Sequence, residues 1–201
     1  MQLGRMLVFA GAIALSGAVA KAESAKPDIQ KLITPEVIKD MRAWIDTDIV
    51  RVSIATQNKR LTKLDQASID ALDEQWKKER EATDKSLIAA TLSNPLSVYL
   101  SRMQGSSLGL YAEIFVMDQN GLNVGQSSIT SDFWQGDEAK FQKTFDVGPD
   151  AVFIDEPEFD DKMKVWRGQV SFTLTDGSGK IGAATVELNL TELARRAEAG
   201  A

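Results

Sequence analysis

Two hydrophobic periods divide this chain near residue 110. Before that point apolar residues recur every three or four positions; after it they alternate with polar ones. Ile38, Met41, Ile45, Ile49 and Val52 lie at helical spacing. They follow Thr34-Pro35-Glu36, which supplies a threonine N-cap, a proline at the first helical position and an acid in the first turn. The spacing predicts a long helix from residue 34 to about residue 60, with Trp44 close to its apolar stripe. A second helix is predicted over residues 65–82, on Ile69, Leu72 and Trp76. Its last turns, Trp76-Lys77-Lys78-Glu79-Arg80-Glu81, read as a solvated face. Short helices are predicted over 86–92 and 95–103, the latter with Asn94 as N-cap and Pro95 at its first position.

Residues 104–109 form a Gly/Ser connector, and strands follow. Residues 111–117 are β-branched and aromatic, Asp118-Gln119-Asn120-Gly121 is a turn, and 122–126 a second strand. A third begins at 151–154. Asp160-Asp161-Lys162 marks a hairpin tip before an alternating strand over 165–175. Asp176-Gly177-Ser178-Gly179 is a tight turn into a last strand over 181–190. Short turns imply antiparallel pairing, and helices followed by strands imply an α+β domain.

The first 22 residues have the pattern of a processing signal. Arg5 is the positive n-region, residues 7–17 the apolar stretch, and Ala20-Lys21-Ala22 the small-x-small cleavage pattern. Cleavage after Ala22 leaves 21 basic residues against 29 acidic ones, a net charge of −8. The expected organisation is a cleaved signal over 1–22, a linker over 23–33, one domain over 34–193 and a C-terminal tail over 194–201. No later apolar run approaches membrane-spanning length, so a periplasmic protein without stable membrane insertion is expected. An acidic chain with scattered Lys and Arg is a poor nucleic-acid binder. The 201 residues include no histidine and no cysteine. That removes Ser–His and Cys–His pairs, disulfides, and imidazole or thiolate metal sites, so the reading is a non-enzyme without cofactor or metal.

The strand half carries a resemblance. Ile114-Phe115-Val116-Met117-Asp118-Gln119-Asn120-Gly121, the run from Leu122 to Asp132-Phe133-Trp134-Gln135-Gly136-Asp137, Val170-Ser171-Phe172-Thr173-Leu174 with Gly179-Lys180-Ile181-Gly182-Ala183, and Val186-Glu187-Leu188-Asn189-Leu190-Thr191-Glu192-Leu193 stand in an order that resembles the Cache family of PAS-like extracytoplasmic sensor domains. The resemblance spans about residues 34–193. It implies a long N-terminal helix, short helices and a five-stranded antiparallel sheet, with a small-molecule pocket beneath the aromatic loop. It also implies signalling through a membrane receptor or kinase, with pairing of two copies through the long helix. Nothing follows Ala201, so a stand-alone exported form is expected. Amino-acid-binding members carry an Arg before an aromatic pair; this chain has Glu138-Ala139-Lys140-Phe141-Gln142 there. Lys140 would act only as a point charge. The expected ligand is therefore an amine or a neutral metabolite. An interaction protein that pairs through the helix, with no pocket, is the alternative.

The candidate pocket residues are Phe133, Trp134, Asp137, Asp160, Asp132 and Trp166. Phe133 and Trp134 offer stacking surface for a ligand, or else pack the loop onto the sheet. Asp132 and Asp137 would accept hydrogen bonds from an amine; Asp132 would alternatively cap a short helix beginning at Phe133. Asp160 is the position of the family's pocket acid. Trp166 reaches the pocket or belongs to the core. The acidic run Asp155, Glu156, Glu158, Asp160 and Asp161 lacks the spacing and glycine of a calcium loop and reads as a solvated hairpin.

Intact-mass analysis of exported protein should show a chain beginning at Glu23; a chain that keeps Met1 in the membrane fraction would overturn the cleavage prediction.

Overall fold

In the strand half of the chain, alternating side chains make a sheet with two chemically different faces. The computed structural model describes residues 25–62 and 64–200. The processing signal and the first two linker residues lie outside them. Eight helices and six strands are described: α1 (Ile29–Leu32), α2 (Pro35–Ile45), α3 (Asp48–Arg60), α4 (Gln66–Glu81), α5 (Ser86–Ser93), α6 (Pro95–Ser106), β1 (Tyr111–Met117), β2 (Asn123–Gln126), α7 (Ala139–Gln142), β3 (Val152–Ile154), β4 (Glu158–Asp160), β5 (Val165–Asp176), β6 (Gly179–Asn189) and α8 (Leu190–Ala199). The strand order is β2-β1-β6-β5-β3, all antiparallel, and β4 pairs with β5 beside β3. The α+β class and the antiparallel sheet are as expected.

The expected long helix is broken at Asp46–Thr47. Its buried side chains explain the break. Met41 and Ile45 are buried in α2, whereas Val50, Ile54 and Gln57 are buried in α3. In a continuous helix the five-residue step from Ile45 to Val50 would rotate the stripe by about 140°. A break at Thr47, the N-cap of α3, resets the phase. Arg51 donates to the Asp46 carbonyl at 2.8 Å and ties the new helix to the end of the old one. Val52, read from spacing as part of the stripe, is consequently 64% exposed.

Helices cover one face of the sheet. Ile114 and Val116 of β1, Val170, Phe172 and Leu174 of β5, and Ala184, Val186 and Leu188 of β6 form the main core with Met41, Ile45, Val50, Ile54, Leu96 and Leu100. The expected linker and tail also join it. Ile29 and Ile33 are buried, and α8 buries Leu190 and Leu193. Arg196 of α8 donates to the carbonyls of Ser107 and Leu108. Both ends of the described chain thus pack on β5, where a Cβ at Gly168 would stand against Ile29 and Leu190.

A second, smaller core sits beside β2. There Trp76 of α4, Ile69, Ile88, Leu122 and Phe133 are buried together. The β1–β2 turn is fixed from within by Asp118. Its carboxylate accepts from the amides of Asn120 at 2.8 Å and Leu122 at 3.0 Å, and from Gln57 Nε2 at 3.1 Å.

Gly182 marks the closest approach of β6 to the end of β1. A Cβ there would collide with the Met117 carbonyl oxygen, a backbone atom with little freedom to move. Gly182→Ala should therefore destabilise the fold by about 1–3 kcal/mol, read from the midpoint of urea unfolding; unchanged stability would show that the strands can separate locally at no cost.

Candidate functional site

The second face of the sheet is polar. Strand alternation directs Arg167, Gln169, Ser171 and Thr173 of β5 away from the helices, opposite to Val170, Phe172 and Leu174. Register places Gln169 beside Glu187 and Ser171 beside Thr185. It also places Glu113 beside Glu187 and Phe115 beside Thr185 on β1. Such a face would ordinarily meet water. Here the loop between β2 and β3 folds over it. Phe141 packs with Phe115, Met117 and Ala183, and Phe145 stacks on Phe141 with centroids 5.0 Å apart. Lys140 lies 5.5 Å above the Phe115 ring and pairs with Glu138 at 2.7 Å.

Between this roof and the far end of the sheet is a cavity of about 230 Å³, lined by Glu138, Lys140, Asp155, Glu156, Glu158, Arg167, Gly168, Gln169 and Glu187. Five carboxylates therefore face two cations, and both cations are engaged. Lys140 is held by Glu138. Arg167 spans Asp160 at 2.6 Å and Glu187 at 2.8 Å. Burial works against charge on Arg167, but the Glu187 and Asp160 carboxylates outweigh it and raise the pKa. Burial pushes the Glu113 carboxyl above its usual range, and the nearby Glu187 charge adds to this, despite the hydrogen bond from Ser128 at 2.6 Å. Glu156 pairs with Lys26 at 2.9 Å, so Asp155 and Glu158 are the lining carboxylates with no ion pair among the described residues, and both lining cations are paired. Chemically, the arrangement can accept hydrogen bonds from a cation. Buried polar atoms without a protein partner include Gln126 Nε2, Thr173 Oγ1 and Arg167 Nε. All three belong to residues of this face, but of them only Arg167 lines the cavity; its Nε–H and the Gln126 amide are donors, which an acceptor such as water would satisfy. Among the described residues, no cluster of three or more acidic, histidine or cysteine side chains could hold a metal ion.

The residues singled out from the sequence are distributed around this site. Asp160 joins it as the partner of Arg167, and its carboxylate also accepts the Lys162 and Met163 amides at 2.9 Å. Those bonds, with Arg167, hold its pKa below the usual value. Asp137 is exposed on the roof. Phe133 stacks on Trp76, centroids 5.2 Å apart, and lines a different cleft on the helix side. Trp134 lines neither cavity; its indole donates to the Asn120 carbonyl at 2.9 Å. No helix starts at Phe133, so Asp132 is not a cap. Asp132 pairs with Lys77 at 2.9 Å. Partial burial opposes its ionisation, but a hydrogen bond from Ser131 and the Lys77 ammonium lower its pKa. Trp166 lies on the opposite side of β5 from Arg167, packed on Phe159 and the main core.

Glu113, Arg167 and Glu187 were not singled out from the sequence. For Arg167 the signal was present in the strict polar–apolar alternation of residues 167–174, and for Glu187 in that of residues 185–188. Only the roof, which alternation cannot reveal, distinguishes such a face from a solvated one.

The roof is anchored by α4. The Asp73 carboxylate is buried and accepts the consecutive amides of Phe133 at 2.8 Å and Trp134 at 3.0 Å. Lys77 balances its charge at 2.6 Å. Trp76 donates to the Thr130 carbonyl at 3.0 Å, and Arg80 to that of Ser131 at 3.1 Å.

No protein-family model matches the chain, and no curated protein does. Several solved structures are similar to it. One is the ligand-binding domain of the Pseudomonas aeruginosa amino acid chemoreceptor PctC in complex with GABA: 15% identity, TM-score 0.36, covering 77% of this chain and 57% of that one. Another is the sensory domain of the Campylobacter jejuni chemoreceptor Tlp3, at 14% identity and TM-score 0.39, covering 79% and 64%. A third is the sensor domain of the Vibrio cholerae histidine kinase DctB, at 11% identity and TM-score 0.36, covering 79% and 58%. The chain thus spans less than two thirds of the length of each. These structures are sensor domains of chemoreceptors and of a histidine kinase.

Asp73→Ala should leave two loop amides without acceptors and cost about 2–3 kcal/mol of stability. Hydrogen exchange at Phe133 and Trp134 should accelerate in this variant more than exchange in β5; equal protection would show that the sheet, not α4, holds the loop.

Proposed function

We propose that this chain is an exported, Cache-like sensor domain that binds a small organic cation, an amine by preference, in the polar cavity between the sheet and its roof. Binding without chemical conversion fits a site that has several carboxylates but no histidine or cysteine. The liganded surface would be presented to a membrane receptor or kinase in the periplasm. The processing-signal pattern over residues 1–22 supports export, and among the described residues no helix is long and apolar enough to cross a membrane.

The observation that carries the reading is the charge balance of the cavity. Both of its cations are bound by protein carboxylates and Glu156 is paired with Lys26 at 2.9 Å, while Asp155 and Glu158 stand at its wall with no ion pair among the described residues. A ligand carboxylate would have to displace Asp160 or Glu187 from Arg167. An ammonium at Asp155 or Glu158 displaces no ion pair and gains charge-assisted hydrogen bonds.

Glu113 makes this testable by pH. Its pKa is raised in the folded protein, so the folded state holds a proton that the unfolded chain has released. Its contribution to stability is therefore full below the unfolded value and is lost as pH rises through the raised one. An ammonium near Glu187 and Glu113 favours the ionised carboxyl. Amine affinity should thus increase as pH rises through that interval, with proton release on binding.

Thermal unfolding against a library of amines, neutral metabolites and carboxylates is the direct test. An amine at about 100 times its dissociation constant should add roughly 2.7 kcal/mol of stability. Glu113→Gln should flatten the pH dependence of its affinity, measured by calorimetry. Hits confined to carboxylates, or an amine affinity indifferent to pH in the parent protein, would refute the assignment.

A further inference from the structure

We infer that the helix-side cleft between α3, α5 and β2 is a second ligand site, and that it takes a small amphiphilic carboxylate with an aryl or branched-alkyl body. The cleft has a volume of about 360 Å³, within the range of about 300–1,000 Å³ typical of small-molecule sites. Its existence follows from the break at Thr47. Rephasing α3 turns Ile54 and Gln57 onto the sheet and leaves Val52 at the rim, 64% exposed. Across from Val52, α5 presents Leu87 and Ala90, and the Phe133 ring is a further wall.

The polar groups of the lining are already committed. The hydroxyls of Thr56 and Thr91 donate to the carbonyls of Val52 and Leu87 in their own helices. Gln57 Nε2 donates to Asp118 and to the Asn123 carbonyl. What remains is apolar surface and one charge. Arg60, at the end of α3, is the only charged side chain among the described residues of the lining, and none of these is a carboxylate. Among the described residues no ion pair engages Arg60. An apolar body would bury against Val52, Leu87, Ala90 and Phe133, with its carboxylate at Arg60. The charge logic is opposite to that of the sheet cavity, and the two sites lie on opposite faces of the sheet. This inference therefore stands or falls independently of the proposed amine site.

Phenylbutyrate is a suitable probe, with phenylbutylamine and phenylbutanol as controls of matched shape. Methyl NMR of the purified protein should show phenylbutyrate shifting Val52, Leu87 and Val124 while leaving Ala183, on the other face of the sheet, in place. Ala90→Trp, at an exposed helical position, should fill the cleft and weaken binding by at least about tenfold. Val52→Trp is a second filling variant, and each is checked for a parental methyl spectrum away from the cleft. Arg60→Gln should weaken phenylbutyrate by about two- to fivefold, as expected for an exposed ion pair, and leave phenylbutanol unchanged. Three outcomes would overturn the inference. These are no cleft shift with any of the three probes up to millimolar concentration, shifts that persist in a correctly folded filling variant, or an amine that binds as well as the acid.

Discussion

A buried carboxylate on a helix holds the loop that gives this sheet a covered second face. Peptide groups of the segment after β2 leave the strand ladder and would be orphaned where the loop turns inward. Asp73 accepts two consecutive amides of that segment, and Trp76 and Arg80, one and two turns along α4, take up two of its carbonyls. Placing an acid there is tolerable because Lys77 stands 2.6 Å away and both amides are aimed at it. The roof is therefore set by a helix that barely touches the sheet. Beyond the anchored segment the same loop runs on to Phe141, which packs on Phe115, Met117 and Ala183 and covers this face.

The anchor also explains how one short segment serves two environments. Phe133 turns toward Trp76 and the apolar cleft, while Gln135, Glu138 and Lys140 reach over the sheet. The cleft is apolar with a single guanidinium at its edge; the cavity is acidic with its cations neutralised. Opposite chemistries on the two sides of a sheet follow from strand alternation alone, provided both sides are covered.

That proviso separates what the sequence made legible from what it did not. The helix caps Thr34 and Asn94 act as expected, because a cap is a local hydrogen bond. Strand positions and turns were legible for the same reason. The break at Thr47 was harder to see, since Ile49 and Val52 continue the stripe on paper; only the sheet's demand for Val50 and Ile54 reveals the change of phase. The helical character of residues 190–199 was missed although Asn189 accepts the Glu192 amide as an N-cap, because the last strand was read to 190 and residues 194–201 as a tail. Among site residues, the conspicuous aromatics drew attention, yet Trp134 serves the β1–β2 turn. Arg167 and Glu187 matter because a distant loop encloses them, and no local pattern reports enclosure.

Gly168 has a further consequence. It follows Arg167 on β5, so strand alternation puts the cavity's guanidinium and the seat of Ile29 and Leu190 on opposite sides of adjacent residues. Glycine offers no side chain to cushion displacement there. Beneath one cation, then, the two terminal segments of the described chain meet at a single backbone position. The cavity's guanidinium and the packing of those segments thus share one stretch of backbone.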